Sequence, residues 1–229
     1  MVVAIDGPAG SGKSTIAKRA AEALGFHYLD TGAMYRAIAV QARAQGVALD
    51  NAAALRAIAE TDPIEFGYTD GDVLPSRVFI AGTEVTDAIR TPEIDVAVSP
   101  VSALREVREA LVAQQRMLAE GAADEGIGYV VEGRDIGTVV FPDAAVKVFL
   151  TASAEERARR RAAQNLERGL EVDYEATLAD IVRRDEYDSQ RELSPLRPAD
   201  DALIVDSTIM TIEYVTNLIV EQVEQVRSA

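Results

Sequence analysis

The stretch from Ile5 to Thr15 constrains this chain more than any other. Val2, Val3, Ala4 and Ile5 lead into Gly7-Pro8-Ala9-Gly10-Ser11-Gly12-Lys13-Ser14, and a helical pattern starts at once with Thr15, Ile16, Ala17 and Lys18. That is a strand, a glycine-rich turn and a helix. Backbone N–H groups converge on an anion only where side chains do not intervene, which glycines at 7, 10 and 12 allow. The helix that follows points its free N–H groups and positive dipole end back at the same place. Lys13 then reaches the β- and γ-phosphates of a bound nucleotide, and the Ser14 hydroxyl is placed to ligate Mg²⁺. With 15 Gly in 229 residues and lysine only at 13, 18 and 147, this spacing arises by chance about 0.01 times per chain. Residues 7–15 therefore read as a nucleotide-phosphate site.

Composition narrows the class. There are no cysteines, which excludes disulfides, thiolate metal sites and cysteine nucleophiles and suits a reducing compartment. No apolar run approaches the length of a membrane span and the first residues form a core strand, so a cytoplasmic protein is expected. The formal charge is −15, from 23 basic and 38 acidic residues. Nucleic acid and anionic membranes need a broad basic face and are not expected partners. An anionic ligand instead requires locally gathered positive charge. All basic residues but those three lysines are arginines, whose planar fork grips phosphate oxygens in pairs.

Five apolar strands alternate with helices: 2–5, 27–29, 127–131, 145–150 and 202–206. The pattern predicts an α/β fold with a five-stranded parallel sheet covered by helices on both faces. The first helix ends at Gly25, and a second, capped by Thr31, runs to Gln45; a third spans Asn51 to Glu60. From Pro63 to Pro92 the period changes to two, in Ile64–Tyr68, Arg77–Ile80 and Glu84-Val85, which predicts a small antiparallel sheet inserted into the α/β chain. Ser99-Pro100 reads as the opening of one long amphipathic helix over 102–120. Ser153 caps a helix, another covers 174–191, and an amphipathic helix closes the chain over 212–226. His27, the one histidine, lies among aromatics and is assigned a structural place.

Charged residues mark the ends of these elements. Arg36 falls beyond the carboxyl end of a strand, where open parallel sheets bind ligands. The strand at 127–131 ends in Glu132-Gly133-Arg134-Asp135, and either Glu132 or Asp135 is placed for the second sphere of Mg²⁺. Arg157, Arg160 and Arg161 share one helix face while Arg159 points away, a pattern suited to a phosphate clamp. The base-reading Asn-Lys-x-Asp and switch Asp-x-x-Gly segments of GTPases do not occur in the chain. Many arginines suit transfer between two anions, which repel until cations neutralise them.

In this order, Ile5–Thr15, Leu29-Asp30-Thr31-Gly32-Ala33-Met34-Tyr35-Arg36, Val107-Arg108-Glu109-Ala110-Leu111, the run from Glu132 to Ala144 and Arg183-Arg184-Asp185 resemble the bacterial cytidylate (CMP) kinase family of P-loop nucleoside monophosphate kinases. The resemblance covers nearly the whole chain. It implies a P-loop kinase three-layer fold and ATP- and Mg²⁺-dependent phosphorylation of CMP or dCMP, in pyrimidine metabolism. It also implies one domain over 1–229, with a monophosphate-binding insert at about 63–97 and a short lid at about 157–169, acting as a monomer on small nucleotides. Carried over by position, Lys13, Arg134, Arg157 and Arg161 act on the transferring phosphoryl, with Gly7 to Thr15 around the donor phosphates and Ser14 on the metal. Arg36, Arg134 and Arg191 hold the acceptor phosphate, with Thr31 and Tyr35 beside them. Ser99, Arg108 and Asp135 read the cytosine edge, whose N4 is a donor; Arg184 and Asp188 reach the sugar. Ser14 stands where some members have Gly, and Glu132 where Asp is expected. No general base stands out. The rivals are a sister kinase acting on UMP, AMP or another small metabolite, and a regulatory module using ATP as a signal.

Overall fold

The protein is described from a computed structural model, which covers residues 1–124 and 126–228. In chain order the elements are β1 (Val2–Asp6), α1 (Lys13–Leu24), β2 (His27–Asp30), α2 (Thr31–Ala44), α3 (Ala52–Thr61), β3 (Ile64–Gly67), β4 (Arg77–Ile80), β5 (Thr83–Glu84), α4 (Pro92–Ala103) and α5 (Arg105–Asp124). There follow β6 (Tyr129–Gly133), β7 (Val146–Thr151), α6 (Ala154–Glu167), α7 (Tyr174–Gln190), β8 (Leu203–Asp206) and α8 (Ile212–Ser228). β2, β6, β1, β7 and β8 lie in that order in one five-stranded parallel sheet. β3, β4 and β5 form a separate three-stranded one. Both sheets are those the sequence pattern predicts.

Two compact units make up the chain, Met1–Leu24 with Val130–Ala229, and Gly25–Tyr129. In the first, β1 pairs in parallel with β7 and β7 with β8. Val3, Ala4 and Ile5 are fully buried, because a strand covered on both faces takes a continuous apolar run. α1 turns Ile16, Ala17, Ala20 and Ala21 inward and packs on β1 and α8. Ser153 does cap α6, accepting a hydrogen bond from the Glu156 amide at 3.2 Å.

In the second unit, β3 and β4 are antiparallel, pairing Ile64 with Ile80 and Phe66 with Val78. Ile64, Val78 and Ile80 are buried, as strict alternation requires of a sheet with one covered face. α2 packs on α3, α4 and β4. His27 stacks on Tyr68 at 5.2 Å and meets Tyr129 edge-on at 5.5 Å, a structural place as expected.

Two expectations are corrected. α2 is capped by Asp30 and not by Thr31: the Asp30 carboxylate accepts from the Ala33 amide at 3.1 Å, while Thr31 is the first helical residue. Either residue type can cap, and a carboxylate also meets the positive end of the helix. The long helix expected over 102–120 is the second of two. α4 begins at Pro92 behind Thr91, with Glu93 and Asp95 in its first turn, and the chain breaks at Leu104, whose backbone is extended. Pro92 is a first-turn proline, where its missing N–H costs nothing, and Pro100 lies inside α4 and does not open a helix.

Candidate active site

The phosphate-loop elements of the first unit all follow carboxyl ends of parallel strands, the edge where such sheets bind ligands. After β1 comes the glycine turn. At Gly7 a Cβ would fall 2.0 Å from the Leu150 carbonyl oxygen, so only glycine lets the loop cross β7 there. Gly10 and Gly12 have φ of 76° and 89°, the left-handed region that side chains disfavour. Three carbonyls of the loop are held by cations. Lys13 Nζ donates to Pro8 O at 3.2 Å, Arg157 Nη1 to Ala9 O at 3.3 Å, and Arg160 Nη1 to Ser11 O at 3.1 Å. The negative ends of these peptide groups are thereby occupied. Ser11 Oγ is fully buried with no hydrogen-bond partner among the described residues, a donor suited to an anion in the loop.

Ser14 stands in the first turn of α1, and its Oγ donates to Glu132 Oε2 at 2.9 Å. Glu132 is buried near the end of β6. A hydroxyl whose proton is taken by a carboxylate presents a lone pair to a divalent cation, so the pair fits Mg²⁺ bound chiefly by nucleotide phosphates. Of the two acidic residues the sequence offers for the metal's second sphere, Glu132 is the one hydrogen-bonded to Ser14.

The helix arginines are more engaged than an open clamp. Arg157 is buried; its Nε donates to Ala152 O at 2.9 Å, and its two terminal nitrogens reach the Asp185 carboxylate at 3.0 and 2.6 Å. Arg160 donates to Ser207 O at 2.7 Å and to Glu156 at 2.9 Å. Arg161, one residue on, is half-buried. Arg159 is exposed and pairs with Glu156, the carboxylate that Arg160 also meets.

Beyond β6, Arg134 Nε donates to Asp188 Oδ2 at 3.0 Å and Nη1 to Gly133 O at 3.2 Å. Asp135 is buried, and a single π-type turn follows over Ile136–Val140. Its first two amides, Ile136 and Gly137, each donate to the Asp6 carboxylate at 2.8 Å. Burial drives the Asp6 carboxyl up to about 6, against the lowering effect of these two amides. Arg184 and Arg191 lie on and just after α7 with Asp188, which is buried.

In the second unit, Thr31, Tyr35 and Arg36 are on α2, Ser99 on α4 and Arg108 on α5. The Arg108 guanidinium lies 5.7 Å from the Tyr35 ring centroid, within cation–π range, and donates to Ser102 O at 3.3 Å. Arg36 Nη2 is 3.3 Å from Asp95 Oδ1. The residues expected to meet the acceptor thus fall in both units: Arg134, Asp135, Arg184, Asp188 and Arg191 in one, Thr31, Tyr35, Arg36, Ser99 and Arg108 in the other.

Sequence reasoning assigned no role to Asp6, Asp95, Asp185 or Ser207. Asp6 was visible as the last residue of a buried strand, a carboxylate where apolar side chains belong. Asp95 was visible only with the helix start at Thr91-Pro92.

A family model described as "Cytidylate kinase" matches residues 3–225. Cytidylate kinase of Pseudomonas paraeruginosa is 49% identical over 224 residues, covering 98% of this chain and 95% of that protein. The Halalkalibacterium halodurans and Bacillus subtilis cytidylate kinases are 47% and 48% identical, covering 98% and 97% of this chain and 98% and 96% of those proteins. With a family model matching all but the first two and last few residues and similarity to these kinases running almost end to end, the chain belongs to the cytidylate kinase family.

Proposed function

We propose that this protein transfers the γ-phosphoryl group of ATP to CMP and dCMP, giving ADP and CDP or dCDP. The observation that carries the proposal is the similarity to cytidylate kinases over nearly the full chain. An acceptor phosphate oxygen attacks the γ-phosphorus, that P–O bond forms as the β,γ-bridging bond breaks, and ADP leaves with the bonding electrons. Because the acceptor is already anionic, positioning and charge neutralisation supply the catalysis and no general base is needed.

Residues 7–15 hold the donor phosphates, Lys13 reaching the β,γ end. Ser14 would be the protein ligand of Mg²⁺ bound with ATP, Glu132 orienting that hydroxyl, and the ion would supply neutralisation of charge on the phosphates. Arg134 and Arg161 neutralise the transferring group. Arg157 joins them by exchanging the Asp185 carboxylate for phosphate, both being anions that a guanidinium grips with two nitrogens. Arg36, Arg134 and Arg191 take the acceptor phosphate, with Thr31 and Tyr35 beside it. Ser99, Arg108 and Asp135 read cytosine, and Arg184 and Asp188 the sugar. Residues 157–169 act as the lid and 63–97 as the monophosphate insert of one kinase domain. The enzyme works as a cytoplasmic monomer; among the described residues no helix is long and apolar enough to cross a membrane.

The test follows the label from ATP carrying ³²P at the γ position. Label appearing in CDP in step with ADP, and only when CMP is present, supports the proposal. Label released as inorganic phosphate at a rate indifferent to CMP contradicts it.

A further inference from the structure

We infer that Asp6, through its clamp on the Ile136 and Gly137 amides, is a positioning residue that sets Arg134 and Asp135 for the acceptor nucleotide. The inference rests on the acceptor roles proposed above for those two residues. Asp6 is the last residue of β1 and is 4% exposed. It accepts two hydrogen bonds of 2.8 Å from a turn 130 residues away in sequence.

That turn needs the carboxylate. Within it, the Val139 and Val140 amides donate to Asp135 O at 2.9 and 3.1 Å, and the Phe141 amide to Ile136 O at 2.7 Å. The first two amides, like those of any helical turn, find no acceptor behind them and need one from outside. Asp135, the residue that would ordinarily supply a cap, makes no such bond with its side chain. Asp6 supplies it from another strand. The fit is close: a Cβ on Gly137 would lie 3.5 Å from Asp6 Oδ2 and 3.3 Å from the Lys147 side chain.

Burying a carboxylate for a merely structural purpose is costly, since an apolar residue fills the end of a buried strand without desolvating a charge. What an apolar residue cannot do is hold two consecutive amides at a fixed place. Those amides directly follow Arg134-Asp135, and Asp6 directly precedes Gly7. One side chain therefore joins the start of the donor loop to the start of the acceptor turn. The charged groups facing it are Asp135 and Arg134 on the turn. Lys147 of β7 brings its methylenes alongside and its ammonium to Asp201 at 2.8 Å.

Amide hydrogen exchange and steady-state kinetics on the full-length protein test this. In the wild type the Ile136 and Gly137 amides exchange slowly, and saturating CMP slows them further, by about fivefold or more. Asp6→Asn retains one acceptor but turns an amide NH₂ toward the other N–H. In this variant the two amides exchange about a hundredfold faster while those of β7 do not change, KM for CMP rises about tenfold, and KM for ATP stays within about twofold. Rapid exchange of both amides in the wild type, or no response to CMP, overturns the inference without any variant. Equal rises in both KM values overturn it as well. If the protein phosphorylates no CMP at all, the proposed function fails, whereas the clamp is still decided by the wild-type and Asp6→Asn exchange rates measured without CMP.

Discussion

Ser14 Oγ donates to Glu132 Oε2 at 2.9 Å across 118 residues of sequence. Glutamate is one methylene longer than the aspartate expected here, and it reaches the Ser14 hydroxyl. Glu132→Gln keeps the shape but weakens the acceptor that holds the Ser14 proton. Because residues that orient a metal ligand are typically worth 10–100-fold, the half-saturating Mg²⁺ concentration is expected to rise about tenfold or more. Initial rates against MgCl₂ at fixed ATP check this, and an unchanged Mg²⁺ curve counts against the pairing.

Asp95 holds Arg36, the residue proposed for the acceptor phosphate, so the two anions are expected to compete. The pair is 3.3 Å apart with side chains 23% and 18% exposed, and Arg36 Nε is buried with no hydrogen-bond partner among the described residues. A partly exposed single contact of this kind is worth about 1 kcal/mol or less. Asp95→Ala should therefore lower KM for CMP by up to about fivefold, and Arg36→Ala should raise it by more than about tenfold. Measured KM values for CMP at saturating ATP test both, and a raised KM in Asp95→Ala would reverse the assigned direction.

Asp6 makes stability depend on pH. Burial first, and Asp135 second, lift its carboxyl from 3.8 to about 6, while the two amides and Arg134 pull it down. The folded state binds this proton more tightly than the unfolded chain, so the group's favourable contribution is complete below about pH 4 and is lost as pH rises through about 6. The total is about 3 kcal/mol, of which about 1.5 kcal/mol falls between about pH 5 and pH 7.5. Asp6→Asn has no such dependence. Urea unfolding of both proteins at the two pH values should show the wild type losing that much relative to the variant; parallel behaviour contradicts it.

Asp185 holds Arg157 with two contacts of 3.0 and 2.6 Å, and removing it leaves a buried guanidinium on the Ala152 and Ala9 carbonyls without this counter-charge. Fully buried pairs lose 3–5 kcal/mol when one partner goes. Asp185 is 26% exposed on its side chain, so solvent screens part of the loss. About 2 kcal/mol is expected for Asp185→Ala, read as a lower urea midpoint with an unchanged slope. An unshifted midpoint would show the pair to be dispensable.

Local patterns announced most of this fold. The glycine turn, the buried apolar strands and the period-two segment at 64–84 are each encoded within a few residues, and the backbone follows them. Punctuation misled where one residue type has two meanings. Pro92 and Pro100 read as boundaries, yet one is the first-turn proline of α4 and the other lies within it. Asp30 and Thr31 can both cap a helix, and only the geometry chose Asp30. The partners of the site residues were not legible for a different reason. Asp6 meets its amides across 130 residues, Ser207 Oγ lies 3.1 Å from Ser11 O across 196, and Asp95 meets Arg36 across 59. No periodicity carries such a distance; it follows from strand order in the sheets and from helix packing.

A cytosine monophosphate as the phosphoryl acceptor is what the proposed site requires. The most direct measurement compares kcat/KM for CMP, dCMP, UMP and AMP side by side, with ATP and Mg²⁺ saturating. CMP and dCMP are expected ahead of both others by about a hundredfold or more, as a site hydrogen-bonding the cytosine edge requires. Equal values across the four, or UMP or AMP in front, would contradict it.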